Sequence, residues 1–405
     1  MNNLPMKFRI LFFSILLFSS CGNAQVDTQN TIPPGVLDTI TPAADLPNSY
    51  LPFLFDKEIA IVTNQTGMVK GHHIVDFLLH EKIKVSKIFA PEHGFRGEAS
   101  AGTEVLNGRD MLTGIQILSI YGKKKKPTEQ DLENIEVIVF DIQDVGVRYY
   151  TYLSSLAYTM EAAAENDIPF IVLDRPNPNA HYIDGPVLDT AFASIVGLHP
   201  VPIVYGMTIG EYARMLKGEG WIKESENLDL TVVMIENYTH DSIYNLPVAP
   251  SPNLPNSQSI YIYPSICYFE GAHVSVGRGT ETPFQLIGFP GFNGGDTTFT
   301  PLSIPGKSEN PPFKGEQCNG LNLTKIPLEE LQSNKEIDWT YVWKMHQALG
   351  KEDFFLNTIF FDLLAGSKLL RTALDEGWSI ERFKSEYQPG VEEFKMIREK
   401  YLLYE

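Results

Sequence analysis

From Glu58 onward, short apolar β-type runs alternate with helical stretches, and this alternation confines the chain to an α/β fold. Residues 59–63, 85–90, 137–141, 170–174 and 230–235 read as strands, and residues 73–80 and 153–166 as helices. The strands are apolar on both faces, as a parallel sheet covered by helices on each side requires. Right-handed βαβ connections then give a Rossmann-like, doubly wound, mostly parallel sheet. The carboxyl ends of these strands carry Thr63-Asn64-Gln65-Thr66-Gly67, Pro91-Glu92-His93-Gly94-Phe95-Arg96-Gly97-Glu98, Asp141-Ile142-Gln143-Asp144-Val145-Gly146 and Asp174-Arg175-Pro176-Asn177-Pro178. Ligands of open α/β sheets bind at that edge, so polar loops gathered there mark a crevice for chemistry.

The N-terminal residues bear on the setting of the chain. Met6-Lys7-Phe8-Arg9 and the apolar residues 10–18 form an export signal, too short to span a bilayer. It closes on Phe18-Ser19-Ser20-Cys21-Gly22, which resembles a lipoprotein lipobox with Cys21 as the acylated residue; ordinary cleavage near Ala24 is the alternative. Residues 1–21 are thus a lipoprotein-type signal, and residues 22–50, rich in Asn, Thr, Pro and Asp, a flexible tether. Loss of residues 1–20 removes Lys7 and Arg9, leaving 30 basic against 50 acidic side chains, a charge of −20. Such a chain is poorly suited to nucleic acid or anionic lipid, so membrane contact is expected only through the lipid anchor, on the periplasmic, extracytoplasmic side. The Pro-rich residues 247–256 separate a Rossmann-like domain (51–250) from a smaller α+β domain (251–405), with helices expected at 340–349, 361–376 and 391–401. Cys267 and Cys318 are left either to pair or to stay free thiols.

Glu92 leads the catalytic candidates, because a carboxyl beside Pro91 and apolar Phe95 has the partly desolvated setting of a general acid. His93 is a second candidate base, or a structural or substrate contact, and Arg96 shares its loop. Asp141 and Asp144 are possible partners of Glu92, and Gln143 lies between them. Arg148 suits either a substrate carboxylate or a pair with Asp144. Tyr149 and its aromatic neighbours either stack on sugar rings or pack the next helix. Thr208 and Glu211 read as a capping box rather than as catalytic groups. In Phe269-Glu270-Gly271-Ala272-His273-Val274-Ser275-Val276-Gly277-Arg278-Gly279, the glycines allow close backbone approach to a ligand beside Glu270, Ser275 and Arg278. No metal is expected, since neither His-x-His nor His-Glu-x-x-His occurs, and no nicotinamide or flavin cofactor, since the dinucleotide fingerprint is missing. Gly-x-Ser-x-Gly is missing as well, which argues against a serine hydrolase of the α/β class.

Taken in order, Pro91 to Gly97, Asp141 to Tyr152, Asp174 to Asn177, Ser251-Pro252-Asn253 and Glu270 to Thr280 resemble the exo-β-N-acetylmuramidase family, formerly domain of unknown function 1343. The resemblance runs from about residue 52 to the C-terminus. It implies a cleft between the two domains that releases N-acetylmuramic acid from the non-reducing end of peptidoglycan fragments, a disaccharide or muropeptide. It implies Glu92 as the catalytic acid, with Asp141 and Glu270 as further carboxylates. Gln143, Arg148, Asp174, Asn177 and Arg278 match as cleft residues, and His93, Arg96, Tyr149, Asn253 and Ser275 join them as expected substrate contacts. The lactyl carboxylate of the sugar gives Arg148 or Arg278 a reason to be present. A different hydrolase, such as an amidase or esterase, and a non-catalytic glycan-binding lipoprotein are the alternatives.

Overall fold

The computed structural model describes residues 39–97 and 107–405; Cys21, the signal segment and most of the expected tether lie outside them. The chain enters the sheet with β1 (Glu58–Thr63), turns through a small hairpin of β2 (Met68–Val69) and β3 (His72–His73), and continues into α1 (Ile74–His80) and β4 (Lys84–Ala90). There follow β5 (Gly108–Arg109), β6 (Gln116–Ser119), β7 (Val137–Asp141), α2 (Tyr152–Glu165), β8 (Phe170–Leu173), α3 (Ile209–Gly218) and β9 (Leu230–Val233). The main sheet has the order β5-β6-β4-β1-β7-β8-β9, and every pairing is parallel except β5 with β6. Its six parallel strands therefore follow the doubly wound order, with the reversal between β1 and β7.

Alternating residues along the strands supply two different cores. Ile59, Ile61, Ile88, Val137, Val139 and Ile171 face α1, whereas Ala60, Val62, Phe89, Ile138, Phe140 and Phe170 face α2 and α3. The second core runs on into the C-terminal half as far as Phe394, so residues 39–405 form one unit. The capping box of α3 is present: the Thr208 hydroxyl accepts from Glu211 N, and Glu211 Oε2 accepts from Thr208 N.

One expectation is corrected here. Residues 39–50, read as tether, belong to the body: Thr41 pairs with Glu236, Ala43 N donates to Asp174 O (3.1 Å), and Ala43, Ala44 and Tyr50 are fully buried. Prolines that suggest a linker here space short 3-10 turns that lay these side chains against the α1 face of the sheet.

The second half opens with α4 (Ser257–Ile266), a helix not among those expected from sequence, with Pro264 in its interior. Strands β10 (Leu286–Phe289), β11 (Thr297–Phe299) and β12 (Cys318–Asn322) form an antiparallel sheet in the order β10-β12-β11. Six helices complete it: α5 (Leu328–Ser333), α6 (Thr340–Leu349), α7 (Lys351–Phe354), α8 (Thr358–Ala365), α9 (Leu369–Asp375) and α10 (Ile380–Arg398). The helix expected at 361–376 is broken in two at Gly366, whose φ of +81° ends α8 in the left-handed conformation. The helix expected at 391–401 begins earlier, at Ile380, with Pro389 inside it. Cys267 and Cys318 are buried and free, and no helix among the described residues is long and apolar enough to cross a membrane.

Candidate active site

A cleft of about 510 Å³ lies against the carboxyl ends of β4 and β6 and is closed by the C-terminal half. Glu92 enters it from the turn after β4, where Gly94 N donates to Pro91 O (3.0 Å) and His93 adopts a left-handed φ of +68°. That turn is anchored on both sides. Phe95 is buried edge-on to His73, with ring centroids 4.8 Å apart, and His93 Nε2 lies 3.2 Å from Ser251 Oγ. The Glu92 carboxylate is half-buried, accepting from Tyr121 Oη at Oε1 (3.1 Å) and from Thr151 Oγ1 at Oε2 (2.7 Å).

The second carboxylate of the cleft, Glu270, comes from the 3-10 turn that follows α4. Arg278 Nε donates to Glu270 Oε1 (2.6 Å), and the Cys267 thiol donates to Oε2 (3.8 Å). The Arg278 guanidinium also stacks over Phe284, 5.0 Å from the ring centre. Burial, then the Glu92 charge and hydrogen bond, then the Glu270 charge push the Tyr121 phenol above its ordinary pKa. One phenol thus senses both carboxylates. Burial and Glu270 likewise raise the Cys267 thiol, which stays a neutral donor.

Of the residues expected in the site, Glu92, His93, Tyr149, Asn253, Glu270 and Arg278 line this cleft, and the others do not. Asp141 is fully buried and held by Arg175, whose Nε and Nη2 donate to its two oxygens at 2.5 and 2.9 Å. Asp174 is equally buried; it accepts from Thr208 Oγ1, Gly210 N and Tyr404 Oη, and burial pushes its pKa up to about 7. Asn177 and Gln143 spend their side-chain amides on the carbonyls of Met207 and of Asp144 and Pro176. Ser275 Oγ accepts from Gly277 N, and Arg96 pairs with Asp110 (3.0 Å).

Arg148 neither lines the cleft nor pairs with Asp144. Its Nη1 donates to Pro186 O (2.7 Å) and Val201 O (2.8 Å), and its Nη2 to Leu364 O (3.2 Å) and Ala365 O (2.9 Å). It clamps the carboxyl end of α8 to the loops before α3. Asp144 instead accepts from Tyr205 Oη and Gly146 N, and burial raises its pKa to about 6.

Tyr121, Thr151, Cys267 and the segment Lys307 to Pro312 also line the cleft without having been nominated from sequence. Tyr121 was within reach of the same logic, because it follows β6 as the Glu92 loop follows β4. Thr151 sits inside the aromatic run Tyr149 to Tyr152, where nothing local marks it out, and nothing local distinguishes Lys307 from a surface lysine. Among the described residues, no group of three or more His, Cys, Asp or Glu side chains converges as a metal site.

Comparison with known proteins identifies the family. Two family models match, the N-terminal domain of the exo-beta-N-acetylmuramidase NamZ over residues 59–258 and its C-terminal domain over residues 261–404. The chain is 40% identical over 386 residues to the peptidoglycan beta-N-acetylmuramidase NamZ of Bacillus subtilis strain 168, an alignment covering 91% of this chain and 90% of that protein. Two crystal structures of DUF1343 family proteins from Bacteroides fragilis NCTC 9343 share the fold. One has a TM-score of 0.83 at 44% identity, covering 91% of this chain and 99% of the other. The second has a TM-score of 0.74 at 28% identity, covering 90% and 99%. With both of its halves matched and its sheet shared with these structures, the chain belongs to the exo-β-N-acetylmuramidase NamZ family.

Proposed function

We propose that this protein is a glycoside hydrolase that releases N-acetylmuramic acid from the non-reducing end of peptidoglycan fragments. The observation that carries the proposal is the pair of carboxylates in one cleft, Glu92 and Glu270, both acting on the Tyr121 phenol. Glycoside hydrolysis uses such a pair: one carboxylic acid protonates the leaving oxygen while a carboxylate stabilises or attacks the oxocarbenium-like carbon. Glu92 takes the acid role. Tyr121 and Thr151 hold it in one rotamer, and each hydroxyl can turn from donor to acceptor when Glu92 carries its proton. Glu270 is the second carboxylate, aimed by its ion pair with Arg278. Tyr149 and Tyr150 supply an apolar wall for the sugar rings.

Such a substrate fits a protein acting outside the cytoplasm, and the lipobox-like Phe18 to Gly22 supports a tether on the periplasmic side through an acylated Cys21. The deciding experiment incubates purified wild type and Glu92→Gln with a disaccharide of N-acetylmuramic acid β-linked to N-acetylglucosamine and follows the monosaccharides by mass spectrometry. Release by wild type alone is expected. Equal release by both removes Glu92 from the acid role, and binding without release by either favours a glycan-binding protein.

A further inference from the structure

The cleft's charges are unevenly spent. Glu92, Glu270 and Glu309 bring negative charge to it, and the chain as a whole carries −18. Arg278 is committed through Nε to Glu270, and Arg148 is spent outside on carbonyls. Among the described residues lining the cleft, that leaves the exposed Lys307 ammonium as the full cation with no carboxylate opposite it.

The backbone beneath Lys307 is tightly held. Lys307 N donates to Ile304 O (3.1 Å), Ile304 and Ser308 pair across the same turn, and Asn253 Nδ2 donates to Lys307 O (3.1 Å). Asn253 N in turn donates to Ser251 Oγ (3.2 Å), the hydroxyl that lies against His93. A continuous chain of contacts, His93 to Ser251 to Asn253 to Lys307, therefore registers this loop to the residue next to Glu92. A lysine on a solvated loop has no need of such register; a cation that must meet a group at a set distance from the scissile bond does.

We infer that Lys307 is a specificity-determining residue, whose ammonium pairs with the carboxylate of the lactyl ether that distinguishes N-acetylmuramic acid from N-acetylglucosamine. This rests on the glycosidase reading above. The contact is a charge-assisted hydrogen bond to an anionic substrate in a cleft whose other charges oppose it, so its loss lowers kcat/KM about tenfold.

The test compares the free lactyl carboxylate with its neutral methylamide in the same disaccharide, using wild type, Lys307→Met and Lys307→Arg. Wild type is expected to favour the carboxylate about tenfold, Lys307→Met to bring the ratio close to one, chiefly through KM, and Lys307→Arg to retain most of it. A merely structural role lowers both substrates together and leaves the ratio where it was; that result, or an undiminished preference in Lys307→Met, overturns the inference. If wild type cleaves neither substrate, the glycosidase reading fails. Calorimetry with N-acetylmuramic acid then decides for Lys307: binding about tenfold weaker in Lys307→Met supports it, and unchanged binding refutes it.

Discussion

Replacing Arg148 by Met tests whether this guanidinium is a clamp or a substrate contact, because the two roles move different observables. In the clamp, four carbonyls accept from it, and one of them, Val201 O, keeps a second donor in Leu188 N (3.1 Å). The other three, Pro186 O, Leu364 O and Ala365 O, are on buried residues and lose their donor outright. An orphaned buried polar group costs about 1–3 kcal/mol, or about 6 kcal/mol for three at mid-range. Against this stands the relief of desolvating the cation. Burial lowers the Arg148 pKa from 12.5 to about 10, which at about 1.4 kcal/mol per unit returns roughly 3 kcal/mol. A net loss of about 3 kcal/mol, spread over an unfolding entropy of about 2.1 cal/mol/K per residue, lowers Tm by roughly 4 °C. Gly366 fits the same account, since a Cβ there would lie 2.3 Å from Arg148 Nη2. Calorimetry of Arg148→Met beside wild type, with KM measured on the disaccharide, is the assay. An unchanged Tm with KM raised tenfold would refute the clamp and restore Arg148 to the substrate.

Two further outcomes follow from the buried carboxylates and from the hydroxyls around Glu92. Asp144, with its folded pKa raised by burial to about 6 from 3.8, binds more protons in the native than in the unfolded state between about pH 4 and 6. Its contribution to stability therefore falls as pH rises through that window, by about 3 kcal/mol, and is level above it. Asp144→Asn keeps an oxygen for Tyr205, so its Tm relative to wild type should climb from pH 4 to 6 and then hold; a difference flat across that range sinks the assignment. Thr151→Val removes one of the two hydroxyls that hold Glu92, and is expected to lower kcat about tenfold while KM stays within threefold. An unchanged kcat would show that Tyr121 alone suffices to aim the carboxyl.

Much of the fold was legible because its strands are apolar on both faces, and only a helix-covered parallel sheet buries such strands. The reading failed where a local rule and a tertiary contact disagree. Pro264 argues against a helix, yet α4 keeps it, buried beside Tyr263, in a segment whose Asn256 side chain caps the first turn. The prolines of residues 39–50 argue for a linker, yet Tyr50 and Ala43 find an unoccupied stretch of sheet face.

The site was legible only in part, for a related reason. Strand ends of an α/β sheet need polar side chains for two purposes: to meet a ligand, and to satisfy buried backbone in loops that fold back over the sheet. The residue types are the same for both. What separates them is a partner far along the chain: Arg175 takes Asp141, Tyr404 takes Asp174, and Ala365 takes Arg148. Glu92 instead lines the cleft, where the hydroxyls of Tyr121 and Thr151 donate to its two carboxylate oxygens. Of the groups that complete the cleft around it, Ser251 comes from the Pro-rich junction itself and Glu270, Arg278 and Lys307 from beyond it. The sheet edge by itself is therefore an unfinished site, and its chemistry depends on the two halves sharing one core.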